Sequence, residues 1–204
     1  KFEFIKREGC TASCMILPIA ILSAMPAELV GFPEDEYSDI LYTGVGKVNA
    51  TRAITEHANH LKALNVSVIN YGTAAAVNDN AEVGKLYEVT KYVQRDMDVT
   101  PLGFEKYETP WGYKNISFLT TTLDGVTCGT GDSFWLYSDE NKDYDIVDME
   151  AYALASVCKK YKIPFRCFKY ISDAGNPKDW EENAAKGVDL FIQKLDEIIQ
   201  YKEK

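Results

Sequence analysis

Strand-like and helix-like stretches alternate along most of this 204-residue chain. The strand-like stretches are short apolar runs, the first of which is Ile16–Ser23. The helix-like stretches repeat apolar residues every three or four positions, as in the C-terminal series Val188, Phe191, Ile192, Leu195, Ile198 and Ile199. Such alternation is typical of a largely parallel sheet covered by helices. The sequence therefore predicts a single α/β domain, a three-layer sandwich around a mixed, mostly parallel twisted sheet.

The remaining segments follow from the same patterns. Strands are predicted at 39–43, 66–70, 85–93, 116–122, 126–130 and 165–170, and helices at 50–64 and 149–158. Residues 101–111 combine proline, glycine and aromatic residues without periodicity, which predicts a loop. Residues 1–14 are interpreted as an N-terminal extension, because Met15 fits a native start just ahead of the first apolar run. Residues 15–204 are then the folded domain.

Composition excludes several classes of function. A net charge of −9 argues against a nucleic-acid surface, which needs a basic stripe. The apolar run Met15–Ala24 is half the length of a membrane span, which takes about 20 residues, so no membrane partner is expected. Five cysteines, an odd number, favour reduced thiols and a cytoplasmic location. His57 and His60 lie three positions apart on a predicted helix, and no metal site is expected.

Two acidic residues stand where predicted strands give way to helices. Asp173 lies in Ile-Ser-Asp-Ala-Gly, just after the apolar run 165–170, and Glu150 lies in Val-Asp-Met-Glu-Ala at the head of a helix. Ligands bind where the strands of a parallel sheet end, so these carboxylates can converge on one small polar ligand. The alternatives are local, since Asp173 also suits a helix N-cap and Glu150 an acid favoured by the helix dipole.

Two turns that contain glycine follow other strands. Gly44-Val45-Gly46-Lys47 lacks the glycine spacing and the Lys-Ser/Thr ending of a nucleotide-binding loop, so an ordinary tight turn is favoured. Gly72-Thr73-Ala74 would let a ligand approach the backbone, but small residues of this kind also pack in cores. Neither turn identifies a ligand by itself.

The order of seven short motifs is far more specific than any one of them. They are Ala24-Met25-x-x-Glu28, Thr43 to Asn49, Gly72-Thr73-Ala74, Asp96 to Phe104, Gly131-Asp132-Ser133-Phe134, Val147 to Ala151 and Ile171-Ser172-Asp173. This order resembles the nucleoside phosphorylase and nucleosidase superfamily, most closely the 5′-methylthioadenosine/S-adenosylhomocysteine nucleosidases. The resemblance covers nearly all of 15–204. It implies the superfamily's fold and a nucleosidase that hydrolyses the N-glycosidic bond of 5′-methylthioadenosine, S-adenosylhomocysteine or a related nucleoside and releases adenine.

The resemblance also implies three catalytic residues. Asp173 would donate a proton to the purine N7 of the departing base, and Ser172 would orient it. Glycosidic cleavage places negative charge on the adenine, and an acid whose pKa is raised by burial can neutralise that charge. Glu28 would position and polarise the attacking water. The alternative for Glu28 is a solvated acid in a first helical turn.

The residues expected to bind substrate come from the same resemblance. Glu150 would accept hydrogen bonds from the ribose hydroxyls, with Met149 under the sugar. Phe134 would stack on adenine and the backbone at Trp135 would read its edge, although two core aromatics fit this sequence equally well. The other residues expected at the substrate are Met25, Val45, Thr73 and Ala74, with Val99, Phe104 and Trp180 lining a pocket for the 5′ substituent. Exposed apolar residues of an ordinary loop are the alternative for these last three. Part of the family's pocket for the 5′ substituent comes from a neighbouring subunit, so a homodimer is implied.

Hydrolysis is favoured over phosphorolysis because arginine is missing where it is expected. Phosphorylases of the superfamily bind phosphate with arginines, whose planar fork suits its oxygens. The usual position two residues before the Gly-Thr pair is Asn70 here, and 24–31 contains no arginine. Phosphorolysis, and a nucleoside-binding module without turnover, remain alternatives. Lys169 stands where the family commonly has an arginine beside Glu28. No cofactor is expected.

Overall fold

A mixed β-sheet forms the centre of the molecule in the computed structural model, which describes residues 18–33, 39–118, 125–136 and 143–202. Its strands are β1 Ile19–Ser23, β2 Asp39–Tyr42, β3 Ser67–Ala76, β4 Leu86–Gln94, β5 Asn115–Ser117, β6 Val126–Thr130, β7 Ile146–Asp148 and β8 Phe165–Asp173. Pairing follows the order β2-β1-β3-β7-β6-β4-β5, and β8 pairs with both β3 and β4. The pairs β3–β7, β4–β5 and β4–β8 are antiparallel. The other pairs in the described ranges are parallel, which confirms the predicted sheet type.

Five of these strands close into a ring. The first part of β3 pairs with β8, and its last residues, Ala75 and Ala76, pair with β7. Likewise β4 pairs with β8 at Leu86 to Glu88 and then continues alongside β6. The pairing of β6 with β7 completes the ring. This closure brings residues of β3, β7 and β8 that are far apart in sequence to one end of the sheet.

Helices cover both faces of the sheet. They are α1 Lys47–Ala63, α2 Ala151–Tyr161, α3 Pro177–Asn183 and α4 Val188–Lys202. Helices α1 and α2 share one buried cluster with Leu22, whereas α4 shares a second with Ile21. Neighbouring residues of β1 serve different clusters because successive side chains of a strand point to opposite faces. The predicted three layers are confirmed.

Several predicted boundaries were wrong for a common reason. Strand β3 runs on through Ala76 because its last residues pair with β7, and β8 runs on through Asp173 because its pairing with β3 continues past the apolar run 165–170. Met149 and Glu150 follow a short strand, β7, and α2 begins only at Ala151. Helix α3 has no buried residue and therefore no apolar stripe that would predict it.

Some predictions fall partly or wholly outside the described residues. The N-terminal extension 1–14 lies outside them, as does the second half of the predicted strand 116–122. The predicted loop 101–111 is irregular apart from a 3₁₀ turn, Thr100–Leu102, at its start. In the described part of the chain no helix combines the length and the apolar character that crossing a membrane requires.

Candidate active site

A cavity of about 240 Å³ opens at the end of the sheet where β1, β3 and β8 finish. Eleven of the fourteen residues predicted for the site line it: Met25, Glu28, Val45, Thr73, Ala74, Phe134, Trp135, Met149, Glu150, Asp173 and Trp180. The other lining residues are Ala24, Ala75, Arg95, Ser133, Val147 and Asp148. Motifs that span about 150 residues of sequence therefore converge on one concave space, the kind of feature in which small ligands bind.

Glu28 is held rigidly at one wall of the cavity, in a 3₁₀ turn that follows β1. Its Oε2 accepts hydrogen bonds from Ser23 Oγ at 2.7 Å and Ala24 N at 3.1 Å. Its Oε1 accepts from Thr73 N at 2.8 Å and Thr73 Oγ1 at 2.9 Å. These four donors fill the four acceptor sites of a carboxylate, which fixes the orientation of the side chain. Glu28 is buried, so the interpretation as a solvated acid is wrong.

Gly72 allows two charged groups to lie against the backbone of β3. A Cβ atom at this position would stand 3.0 Å from Glu28 Oε1 and 3.2 Å from Lys169 Nζ. Any side chain would therefore displace one of the two. Of the two roles that the sequence left open for this turn, Gly72 has the packing role, whereas Thr73 and Ala74 line the cavity.

A buried ion pair lies beneath the cavity. Lys169 Nζ is 2.9 Å from Asp148 Oδ2, and both side chains are at most 2% exposed. Thr130 Oγ1 and Ala151 N also donate to Asp148, at 2.6 and 2.8 Å. Burial alone would raise the pKa of Asp148, but Lys169 and these donors hold it below its usual range. Burial would likewise lower the pKa of Lys169, but Asp148 and the other acidic groups near it together outweigh that effect and raise it.

Glu150 stands at the start of α2 but does not cap the helix with its side chain. Its Oε1 accepts a hydrogen bond from Gly46 N at 2.8 Å. Burial, together with the neighbouring charge of Asp148, raises the pKa of Glu150 to about 8. The Gly44–Lys47 turn is thus neither a phosphate loop nor merely a turn, because it supplies a backbone donor to a carboxylate at the cavity.

Asp173 ends β8 with its carboxylate held by local donors. Ser172 Oγ donates to Oδ2 at 2.8 Å, and Gly175 N donates to Oδ1 at 2.8 Å. Burial raises the pKa of Asp173, and these hydrogen bonds oppose the rise only in part. The N-cap of α3 is Asn176, which accepts from Lys178 N at 3.1 Å. Asp173 is therefore not the helix cap that the sequence offered as its alternative role.

The two aromatic residues that follow Asp132-Ser133 differ in environment. Phe134 is 41% exposed at the cavity, which leaves its ring accessible to a ligand. Trp135 is 5% exposed and packs in a core cluster with Tyr107 and Tyr144. Trp135 is therefore a core aromatic, although part of its surface still faces the cavity. Phe134 is not a core aromatic.

An ion cluster ties the loop that carries Phe134 to the Gly44–Lys47 turn. Lys47 Nζ lies 2.5 Å from Asp96 Oδ1 and 3.6 Å from Asp132 Oδ2. The backbone adds two links, from Lys47 N to Asp132 Oδ1 at 2.8 Å and from Asp132 N to Asp96 Oδ2 at 2.9 Å. Arg95 also binds this loop, through its Nη2 and the carbonyl oxygen of Ser133. These contacts fix two walls of the cavity relative to each other.

Three predicted site residues do not line the cavity. Ser172 is fully buried behind Asp173 and contacts it directly, as expected of an orienting residue. Val99 and Phe104 lie beyond the wall because they belong to the irregular segment after β4, and the ring of Phe104 contacts that of Trp111 instead. Neither Val99 nor Phe104 lines the cavity of its own chain. Their expected role at a neighbouring subunit's site stays a prediction.

Several residues of the site were missed by sequence reasoning. Asp148 lies within one of the seven motifs but has no role that the sequence indicates, and none of the motifs contains Thr130 or Arg95. Their contacts depend on strand register, since β6 and β7 place Thr130 opposite Asp148. Asn70, which replaces an expected arginine, is buried and donates from Nδ2 to Leu22 O at 2.9 Å. Among the described residues no cluster of histidine, cysteine and acidic side chains has the geometry of a metal site.

Comparison with known proteins places the chain in a family. Residues 119–200 match the model of the phosphorylase superfamily. A 5′-methylthioadenosine/S-adenosylhomocysteine nucleosidase of Bacillus thuringiensis is 30% identical over 158 residues, which cover 66% of this chain and 67% of the relative. One of Bacillus cereus is 31% identical over the same length. The chain belongs to the nucleosidases of the phosphorylase superfamily.

Solved structures agree on the fold. An MTA/SAH nucleosidase of Streptococcus pneumoniae, in complex with 8-aminoadenine, superposes with a TM-score of 0.76 and 21% identity, over 92% of this chain and all of that one. A futalosine hydrolase mutant of Helicobacter pylori gives a TM-score of 0.74 with 19% identity, over 89% of this chain and all of that one. Identities this low extend the fold to this chain without extending a substrate.

Proposed function

We propose that this chain hydrolyses the N-glycosidic bond of 5′-methylthioadenosine, S-adenosylhomocysteine or a related adenine nucleoside and releases adenine. The observation that carries the proposal is the convergence of three buried carboxylates, Glu28, Glu150 and Asp173, on one cavity. Each has a different set of partners, which suits each to a different part of the reaction. The names of the curated relatives supply the class of substrate.

Asp173 is the proposed general acid. Because burial raises its pKa, a larger fraction of the side chain carries a proton near neutral pH than an exposed aspartate would. Transfer of that proton to N7 of the purine lets the bonding electrons of the C1′–N9 bond leave with the base. Ser172 keeps the carboxyl group oriented for this transfer.

Glu28 is the proposed base for the attacking water. As the water adds to C1′, one of its protons passes to the carboxylate of Glu28. Because four donors already occupy that carboxylate, the water must displace one of them. Thr73 lines the cavity, whereas Ser23, the other side-chain donor, does not. The Thr73 hydroxyl is therefore the donor placed to turn away from Glu28 and admit the water.

Glu150 and Phe134 are the proposed substrate-binding groups. One oxygen of Glu150 is fixed by Gly46 N, which leaves the other to bind the ribose hydroxyls. The exposed ring of Phe134 offers a face for adenine to stack on. Met149 lines the cavity beside Glu150, in keeping with a place under the sugar.

A homodimer in the cytoplasm is part of the proposal. Val99 and Phe104 lie outside the cavity of their own chain, and next to them Leu102 is 74% and Trp111 100% exposed. A second chain that covered this segment would bury these apolar side chains. The same contact would bring Val99 and Phe104 of one chain to the cavity of the other. Light scattering of the purified protein measures the assembly, and a monomer at micromolar concentration would contradict it.

Adenine release tests the activity. The purified protein is incubated with 5′-methylthioadenosine, S-adenosylhomocysteine and adenosine, each with and without inorganic phosphate, and products are separated by chromatography. The proposal predicts adenine and free sugar at a rate independent of phosphate. A requirement for phosphate with sugar 1-phosphate as product would establish phosphorolysis, and binding without product would leave a nucleoside-binding module.

A further inference from the structure

The indole of Trp180 joins the network around Glu28 from the far side of Thr73. Trp180 Nε1 donates to Thr73 Oγ1 at 3.0 Å, and the same oxygen donates to Glu28 Oε1 at 2.9 Å. The Thr73 hydroxyl therefore receives one hydrogen bond and gives one. Since an indole can only donate, it fixes the direction of this chain of hydrogen bonds from Trp180 to Glu28.

The segment that carries Trp180 also holds the proposed acid. Asp173 accepts from Gly175 N and Asn176 N in the turn just before α3, and Trp180 lies within that helix. Asn183, at the end of α3, donates to the carbonyl oxygen of Ser172 at 2.8 Å and anchors the helix to β8. Residues 173–183 thus contact both the group proposed to protonate the base and the group proposed to activate water.

We propose that Trp180 is a positioning residue for Glu28, acting through the hydroxyl of Thr73. The inference rests on the function proposed above and adds a specific role to a residue expected only to form a wall for the 5′ substituent. The indole N–H keeps Thr73 Oγ1 in place when its hydrogen turns from Glu28 to admit the water. The side chain that bounds the cavity therefore also sets the geometry of the hydrolytic step.

Replacement of Trp180 by phenylalanine removes the N–H and keeps an aromatic wall. Loss of one neutral hydrogen bond should lower kcat about fivefold, with KM changed less than about twofold. The factor in kcat should be the same for substrates with different 5′ groups, because the lost contact is to Thr73 and not to the substituent. Lys178→Ala, an exposed change on the same helix, is the control and should leave kcat at its wild-type value.

A double-mutant cycle separates the positioning role from a packing role. In a Thr73→Val background the hydroxyl that links the two residues is absent, so adding Trp180→Phe should change kcat by less than about twofold. The inference would be overturned if the effects of Trp180→Phe and Thr73→Val on kcat multiplied in the double variant. It would also be overturned if Trp180→Phe had the wild-type kcat, or if its loss of kcat depended on the 5′ group of the substrate. Failure of the wild-type protein to release adenine would instead overturn the proposed function.

The contact itself can be tested without turnover. The chain has three tryptophans, so its indole N–H groups give three resolvable NMR signals, and Trp180→Phe identifies the one that belongs to Trp180. Thr73→Val should shift that signal upfield, as expected for a donor that loses its acceptor, and leave the Trp111 signal in place. An unchanged Trp180 signal would show that the indole does not bind Thr73 in solution.

Discussion

Removal of the cation beneath the cavity should be among the most destabilising single changes in this chain. Lys169→Met keeps an unbranched side chain in a fully buried space but leaves Asp148 without its partner at 2.9 Å. Loss of one member of a buried pair costs about 3–5 kcal/mol, because the remaining charge stays out of water without compensation. Thr130 and Ala151 still donate to Asp148, which places the expected loss near the lower end, about 3 kcal/mol.

The loss should depend on pH in a definite direction. Without Lys169, burial is expected to carry the pKa of Asp148 in the folded state above its unfolded value. Folding then takes up a proton, so the stability of the variant falls as pH rises through that range. Relative to the wild type, Lys169→Met should therefore be less destabilised at pH 5 than at pH 8.

Urea denaturation followed by circular dichroism measures these differences. The double variant Lys169→Met/Asp148→Asn removes both charges and should recover at least half of the loss of the single variant, since an amide needs no cation nearby. Penalties that add in the double variant would refute the reasoning. So would a loss below about 1 kcal/mol in Lys169→Met, the size expected of an exposed pair.

Three further predictions concern the walls of the cavity. Burial raises the pKa of Glu150 from 4.5 to about 8, so the wild-type free energy of unfolding should fall by up to about 5 kcal/mol as pH rises from 4.5 to 8. Urea denaturation of Glu150→Gln at pH 5 and pH 8 should show a smaller fall in this free energy. Gly72→Ala should lower kcat at least tenfold in an adenine-release assay, since its Cβ would displace Glu28 by a few tenths of an ångström or more; an unchanged kcat would contradict the packing described. Lys47→Met should raise KM severalfold with little change in kcat. It should lower the free energy of unfolding by less than about 1 kcal/mol, because the ion pairs of Lys47 with Asp96 and Asp132 are partly exposed. A fall in kcat at constant KM would refute this.

The layers of the fold could be predicted from the sequence because each has a local signature. The apolar stripe of α4 and the apolar runs of β1 and β6 mark their own positions, and β6 matches its predicted bounds. Helix α3 and strand β7 carry no such mark, since one has no buried face and the other is only three residues long. Their positions depend on tertiary pairing, which no local pattern encodes.

Much of the site could also be predicted, through the order of its motifs. That order identifies Glu28, Glu150 and Asp173, but it does not indicate what each side chain contacts. The pairing of Lys169 with Asp148 depends on the closure of the sheet, which brings β7 and β8 alongside the end of β3. For the same reason the sequence could mark Trp180 as a wall of the cavity but not as a donor to Thr73.

Proton donation by Asp173 is the central claim, and the turnover rate of Asp173→Asn tests it most directly. An amide fills the same space and can accept from Ser172 or Gly175, yet it cannot give a proton to the purine. Adenine release from 5′-methylthioadenosine should slow by about 10²–10⁴-fold, the usual contribution of a general acid, while the variant still binds adenine and unfolds at a similar urea concentration. A rate comparable to that of the wild-type protein would contradict the account.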